Sequence, residues 1–378
     1  MADTARVAPG RVLIAADKFK GSLTAVQVAE HVAAGLRAVV PGLEITALPV
    51  ADGGDGTVDA AVAAGFDRRT VRVTGPLGEP VEAAYALRAG TAVVEMAEAS
   101  GLRHLPPGVF APRTATTYGT GELLRAALDA GARTIVLGVG GSATTDGGAG
   151  MLSALGARLL DAGGAPVAPG GAALADLASA DLGGLDPRLA ATEVVLASDV
   201  DNPLLGPTGA AAVYGPQKGA DAEDVAVLDA ALTRYAEVLG AMPLAAAPGA
   251  GAAGGIGFGA LVGLQATFRP GIEVLLDVLG FEDAVAGAAL VITGEGSLDP
   301  QTLHGKAPIG VARAAAPHGI PVAAVCGRLT LPESALAAAG ITHTYALSAL
   351  EPDPTLSMTN AGPLLERAAT LLASDLLT

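Results

Sequence analysis

The chain has no tryptophan and one cysteine, Cys326, so no internal disulfide can staple it. Cys326 sits in the apolar run 322–326, where a buried structural thiol is expected. Aromatic residues make up only 3% of the 378 positions. The core must therefore come from aliphatic side chains, above all alanine, which pack elements closely but supply few large anchors. Positive charge is scarce as well: 22 Lys and Arg against 38 Asp and Glu leave a formal net charge of −16. A surface of that sign cannot displace the counterions of a polyanion, which excludes nucleic-acid binding. No apolar run reaches the ~20 residues of a membrane-spanning helix. Residues 1–10 lack the apolar core of a signal peptide. A cytoplasmic protein with no membrane partner is the expectation. Three signatures are also missing: the G-x-x-x-x-G-K-[ST] phosphate loop, the protein-kinase H-R-D and D-F-G pair, and any Cys/His cluster of the kind that binds zinc.

What is present is ample material for a core, with 51% apolar and 16% charged residues. Length alone suggests two or three domains. Residues 12–16 read as a buried strand. A helix follows, opened by a Thr24/Gln27 capping box and carrying Val28, Val32, Leu36 and Val39 on one face. Residues 45–50 read as a second strand and 57–64 as a short helix. The texture then changes to a meander of strands over 70–73, 81–87 and 91–96. Next come a helix over 122–130, a strand over 134–137, a glycine-rich loop and a helix over 151–160. A strand over 193–197, a helix over 225–239 and a second glycine-rich loop over 249–259 complete the middle. The βα rhythm returns with strands at 290–293, 322–326 and 344–347, followed by helices at 306–316, 333–339 and 363–376. Two strands at the start and three at the end predict a five-stranded, doubly wound parallel α/β sheet from residues 1–68 and 288–378. Residues 69–287 form a second α/β domain inserted into it. Ligands of such sheets bind at the carboxyl ends of the strands, near the point where strand order reverses.

Six polar or glycine-rich segments fall near such strand ends. Asp17-Lys18-Phe19-Lys20-Gly21-Ser22 sets a strand-end acid and two lysines at a helix entrance, where free N–H groups suit an anion. With only Lys18, Lys20, Lys218 and Lys306 in the chain, each lysine stands out. Asp52-Gly53-Gly54-Asp55-Gly56-Thr57 holds two carboxylates among three glycines, fit for Mg²⁺ or for substrate hydroxyls. The third segment runs from Gly138 through Gly141, Ser142, Thr144, Asp146 and Gly148. It matches G-x-G-x-x-A, so a dinucleotide-binding loop must be weighed, yet its hydroxyls and carboxylate suit a phosphate or polyol better. Ser198-Asp199-Val200-Asp201-Asn202 is oxygen-rich and able to hold Mg²⁺ or take a proton. Gly215-Pro216-Gln217-Lys218-Gly219 lies just downstream. The fifth segment, with Gly251, Gly254 and Gly255, is a possible cradle of backbone N–H groups. The sixth, Thr293 to Lys306, includes Glu295, Ser297, Asp299 and His304. It leaves a buried strand and is the most polar stretch of the chain.

In order and spacing these segments, together with Thr116-Thr117-Tyr118-Gly119-Thr120-Gly121-Glu122-Leu123, resemble the bacterial type-1 glycerate kinase family. The resemblance runs from about Arg11 to the last helix. It implies a flavodoxin-like domain carrying an inserted α/β domain, and phosphorylation of D-glycerate by ATP with Mg²⁺, commonly to 2-phosphoglycerate. Three positions depart from the family pattern: Asp55 where Glu is usual, Ser297 where Arg is usual, and Lys18 where Ser is usual. The expected site lies in the cleft between the domains. Lys20, Asp52, Asp146, Asp199 and Lys306 are the expected catalytic residues. Asp17, Gly53, Gly54, Gly141, Ser142, Thr144, Lys218, Gly254, Gly255, Glu295 and Asp299 are expected to bind substrate or phosphate, and Asp199 and Asp201 the metal. Two other readings stay open at this stage. One is an NAD(P)-dependent oxidoreductase using Gly138 to Ala143; the other is a non-catalytic ligand-binding regulator on the same fold. A homo-oligomer is compatible with the sequence.

Overall fold

The computed structural model describes residues 10–378; residues 1–9, most of the stretch read above for a signal peptide, lie outside the described residues. In chain order the strands are β1 (Arg11–Ala16), β2 (Ile45–Ala47), β3 (Asp67–Thr74), β4 (Pro80–Arg88), β5 (Thr91–Glu95), β6 (Thr134–Gly138), β7 (Arg158–Asp161), β8 (Leu177–Asp181), β9 (Glu193–Ala197), β10 (Thr267–Arg269), β11 (Ala288–Leu298), β12 (Val322–Leu329) and β13 (Ile341–Ala346). They fall into two compact units. The first holds the described chain up to Asp52, Asp59–Ala64 and Ile272–Thr378; the second holds Gly53–Val58 and Gly65–Gly271.

The first unit is built on a parallel sheet of order β13-β12-β11-β1-β2. Counted by its own strands the order is 2-1-3-4-5, the flavodoxin-like doubly wound arrangement, which reverses between β1 and β11. A parallel strand covered on both faces needs a continuous aliphatic run. Val12, Leu13, Ile14, Ala15 and Ala16 supply it and are fully buried. Helix Ala25–Val39 starts at the expected Thr24/Gln27 capping box. With helix Ala361–Leu376 it covers one face, setting Val28, Val32, Leu36, Leu365 and Leu372 over Val12, Ile14, Leu290 and Ile292. Gly35 lets those helices close: a Cβ there would stand 2.7 Å from Ala369 Cβ and collide with the Glu366 carbonyl.

Several strand boundaries differ from the sequence reading, and those of β2 and β11 bear on the polar segments. The regular part of β2 stops at Ala47, although Leu48 N and Val50 N still donate to Ile14 O (2.8 Å) and Ala16 O (3.1 Å). The strand expected over 290–293 continues to Leu298, because Ser297 and Leu298 keep pairing with Arg328 and Leu329 of β12. Glu295 and Ser297 thus lie on a strand, not in a loop.

The second unit carries a six-stranded sheet of order β10-β9-β6-β5-β4-β3, parallel except that β4 runs against both neighbours. β7 and β8 make a separate antiparallel pair. Leu123, Leu124, Ile135, Leu137, Leu152, Leu196 and Ile256 fill the main core. The helix expected over 151–160 is instead a short one, Ala149–Ala154, followed by β7. Gly156, at φ +111°, breaks it, with the Gly184 carbonyl occupying the place of a side chain. The loop expected over 249–259 is largely helical: helix Ala252–Gly263 forms around a kink at Ala253, Gly254 and Gly255, all left-handed. Among the described residues no helix is long and apolar enough to cross a membrane.

Replacing Gly35 with Val should lower the thermal midpoint measured by circular dichroism. Overpacking of this kind costs about 1–3 kcal/mol. An unchanged midpoint would show that the two helices yield freely.

Candidate active site

In the first unit the charged segments gather at the carboxyl ends of the strands. Ala16 of β1 pairs with Gly294 of β11, so Asp17 and Glu295 emerge side by side at the strand-order reversal. Extension of the second strand alongside Ile14 and Ala16 carries Asp52 to the same rim, where it acts electrostatically on both Asp17 and Glu295. Lys18 faces Asp17, and Lys306 and Asp299 face Glu295. Lys20 is exposed at the tip of a tight turn closed by Phe19 N donating to Leu23 O at 2.9 Å. Gly294, Gly296 and Gly327 permit the close packing beneath. A Cβ on Gly296 would stand 3.3 Å from Lys20 N, and one on Gly327 would stand 2.6 Å from Gly296 O.

Local hydrogen bonds hold the acids. Asp17 accepts from Lys18 N at 2.6 Å. Glu295 accepts a short hydrogen bond from the buried Thr302 hydroxyl, which itself accepts from Asp299 N at 3.1 Å. Lys306 occupies the position before helix Ala307–Ala315 without a side-chain capping bond, and its ammonium makes one long contact, 3.4 Å to Gln301 Oε1. Burial is the main cause that pushes Asp17 up to about 8, with Asp52 adding to it. Burial likewise raises Glu295 to about 7, against the Thr302 hydrogen bond and the Lys306 charge. Near neutral pH Asp17 thus mostly keeps its proton and Glu295 keeps it in part. The rim then presents Asp52 and Asp299 beside Lys18 and Lys306, a balance that tolerates an anion. His304 is exposed on the turn Thr302–His304.

In the second unit the Gly53–Val58 loop lies on the carboxyl ends of β6 and β9. Gly140 N donates to Gly53 O at 3.1 Å. A Cβ on Gly138 would come 2.8 Å from Gly53 O, and one on Gly53 would come 2.7 Å from Ala197 O. Asp55 occupies the space a side chain at Gly141 would need. At Gly138 and Gly140 the space beside the glycine is thus taken by backbone of the Gly53–Asp55 segment, and at Gly141 by the Asp55 carboxylate. Glu95, at the end of β5, was not singled out in the sequence. It is 1% exposed and accepts from Gly56 N (3.1 Å) and Val58 N (3.3 Å), anchoring the loop. Burial raises it to about 7, opposed by Arg103. Arg103 also forms a close ion pair with Glu98. A glutamate ending an otherwise apolar strand was the available signal.

Asp146 is buried and fully engaged. It accepts from Thr117 N and Thr117 Oγ1, both at 2.8 Å, from Gly148 N at 3.1 Å and from Gly150 N at 3.2 Å. Lys218, 2% exposed, donates to Ser142 Oγ (2.7 Å) and Thr144 O (2.5 Å). Burial lowers it to about 7, and Asp146 partly offsets this. The neighbouring Thr144 and Thr145 hydroxyls are buried and make no hydrogen bond. Gly254 and Gly255 are buried against this same segment: Gly147 N donates to Gly254 O at 3.1 Å, and Gly255 N donates to Gly251 O at 3.3 Å. They bring two stretches together and do not form an open cradle. Asp199 accepts from Gly271 N at 2.8 Å. Asp201 is exposed beside Tyr214, whose hydroxyl donates to Asn202 Oδ1 at 2.5 Å.

The raised acids give a pH dependence of stability. Asp17 and Glu295 hold their protons more tightly folded than unfolded. Their stabilisation is full below the ordinary carboxylate range and is lost as pH rises through about 7 for Glu295 and about 8 for Asp17. The double variant Asp17→Asn, Glu295→Gln should flatten the fall in urea-unfolding free energy between about pH 5 and 8. A slope equal to that of the unaltered chain would place the bound protons elsewhere.

Comparison with known proteins matches the model of the "Glycerate kinase family" over residues 12–377. A glycerate kinase of Bacillus subtilis (strain 168) is 49% identical over 344 residues, covering 89% of this chain and 90% of the relative. A glycerate 2-kinase of Escherichia coli (strain K12) is 46% identical over 327 residues, covering 85% and 86%. The crystal structure of a protein assigned as glycerate kinase 2 from Salmonella typhimurium LT2 superposes with a TM-score of 0.84 at 44% identity, covering 97% of both chains. With its doubly wound sheet, its strand-end acids and lysines, and likeness along nearly its whole length, this chain belongs to the glycerate kinase family.

Proposed function

We propose that the chain is a phosphotransferase that uses ATP to phosphorylate D-glycerate, yielding 2-phosphoglycerate. The observation that carries this reading is the extent of the family match: residues 12–377 include every acid, lysine and glycine segment described above.

Phosphoryl transfer asks the protein for positioning and charge neutralisation more than for covalent chemistry. In the proposed reaction the glycerate hydroxyl oxygen attacks the γ-phosphorus, the bond to the β–γ bridging oxygen breaks, and ADP leaves. Asp52 takes the hydroxyl proton. Asp146 is less suited to that part, since four donors already occupy its carboxylate. Protonated Asp17 and Glu295 can donate to substrate oxygens without repelling them. Lys20, exposed, and Lys306, with a single long contact, hold the glycerate carboxylate or phosphate oxygens. Lys18 supplies charge where Ser297 does not. Lys218 and Asp146 act as positioning residues for the Gly141–Ser142–Thr144 segment.

Carboxylates of Asp199 and Asp201 are hard oxygen donors of the kind Mg²⁺ takes one or two of, alongside water and phosphate. Among the described residues no group of three or more His, Cys, Asp or Glu is placed to hold a metal. When bound, Mg²⁺ neutralises charge on the phosphates.

Asp52→Asn should lower kcat in a coupled ADP-release assay by about 10²–10⁴, the usual contribution of a general base, with little change in KM. Retention of full turnover would remove Asp52 from proton transfer. Lys20→Met should likewise cut turnover in the same assay. ³¹P and ¹H NMR of the product should show 2-phosphoglycerate; 3-phosphoglycerate would reverse the assignment of the acceptor hydroxyl.

A further inference from the structure

The second unit contains a cavity of about 640 Å³ that the proposed chemistry leaves unused. Its volume is typical of a small-molecule site. β3 is antiparallel to β4, and β4 to β5, so β3 ends at the same edge of the sheet as β5 and its parallel neighbour β6. Thr74 at the end of β3 and Pro76 and Leu77 in the turn after it line one side. Thr116 and Tyr118, at the start of helix Tyr118–Asp129, line another, with Gly150 and Ser153 beside them. The third glycine segment adjoins this space. Lys218 holds Ser142 and Thr144; Asp146 then binds Gly150 N and Thr117 N, and Gly150 is cavity wall.

The lining chemistry selects the ligand. Walls of Pro, Leu and Val carbon are interrupted by neutral hydroxyls. The one cation, Arg158, is 70% exposed and already paired with Asp181 at 2.7 Å. Glycerate, small and anionic, would lose its hydration there without gaining a counter-charge. A triphosphate is worse served still. A flat uncharged ring with apolar faces, polar edges and attached sugar hydroxyls meets both kinds of surface. We infer that this cavity seats the adenosine half of ATP, with Tyr118, 37% exposed at the rim, stacked on the base. The inference rests on the kinase reading above and adds to it the nucleoside site.

Calorimetric titration with ATP and with inorganic tripolyphosphate, on the full chain and on Tyr118→Ala and Ser153→Phe, tests it. Loss of the stack should weaken ATP binding about tenfold in Tyr118→Ala. Filling the cavity should weaken it at least as much in Ser153→Phe. Tripolyphosphate affinity should not change in either folded variant. Photolabelling with 8-azido-ATP should modify peptides spanning 74–78, 116–118 or 150–167. Unchanged ATP affinity in folded Tyr118→Ala, or a label confined to other peptides, overturns the cavity assignment and leaves the kinase reading intact. Failure of the unaltered chain to bind or consume ATP would remove the kinase reading, and the cavity assignment with it.

Discussion

Parallel pairing of β1 with β11 in the register Ala16 to Gly294 governs the chemistry of the first unit. It sets Asp17 beside Glu295 at the one edge where strand order reverses and helices on opposite faces diverge. A slip of one residue would turn each carboxyl to the other face of the sheet. Burial at that edge then does two things together. It removes water from the acids and pushes their protonation into the neutral range, so three neighbouring carboxyl groups need not carry three charges. Lys18 and Lys306 then stand beside less negative charge than ionised Asp17 and Glu295 would supply.

The second unit uses glycine in a different way. Gly138, Gly140 and Gly141 admit the Gly53–Asp55 loop, which Glu95 ties down through two backbone N–H groups. Gly254 and Gly255 admit the Thr144–Gly147 segment. A chain with few aromatics and much alanine reaches a dense interior by bringing backbones together, and glycine is what such approaches require. The buried Lys218 belongs to the same scheme. Its ammonium crosslinks Ser142 and Thr144, with Asp146 nearby as the charge that keeps it from losing its proton more readily still.

Much of this was legible in residue order. The aliphatic runs at 12–16, 290–293 and 322–326 identified the sheet, because a strand covered on both faces has no other composition. Strand-end acids and the few lysines marked the candidate site, since charge that close to a buried run needs a reason. Helix termini were harder. Gly156 stops a helix whose hydrophobic period would have carried it to residue 160, and β11 outruns its apolar stretch because β12 keeps pairing with it. Glu95 went unmarked because its partners are backbone N–H groups 37 and 39 residues away, and a backbone donor leaves no trace in composition.

Residue order by itself determined the class of fold, the chemical identity of the charged groups and their location at strand ends, all of which follow from short-range periodicity and from where polar residues interrupt it. Tertiary structure alone decided which acids hold their protons into the neutral range, which glycines meet backbone and which meet solvent, and that Asp146 is held by four donors while Lys306 is held by one long contact. Those properties depend on desolvation and on partners remote along the chain. Neither has a local signature, because both are set by distances that exist only once the strands have paired.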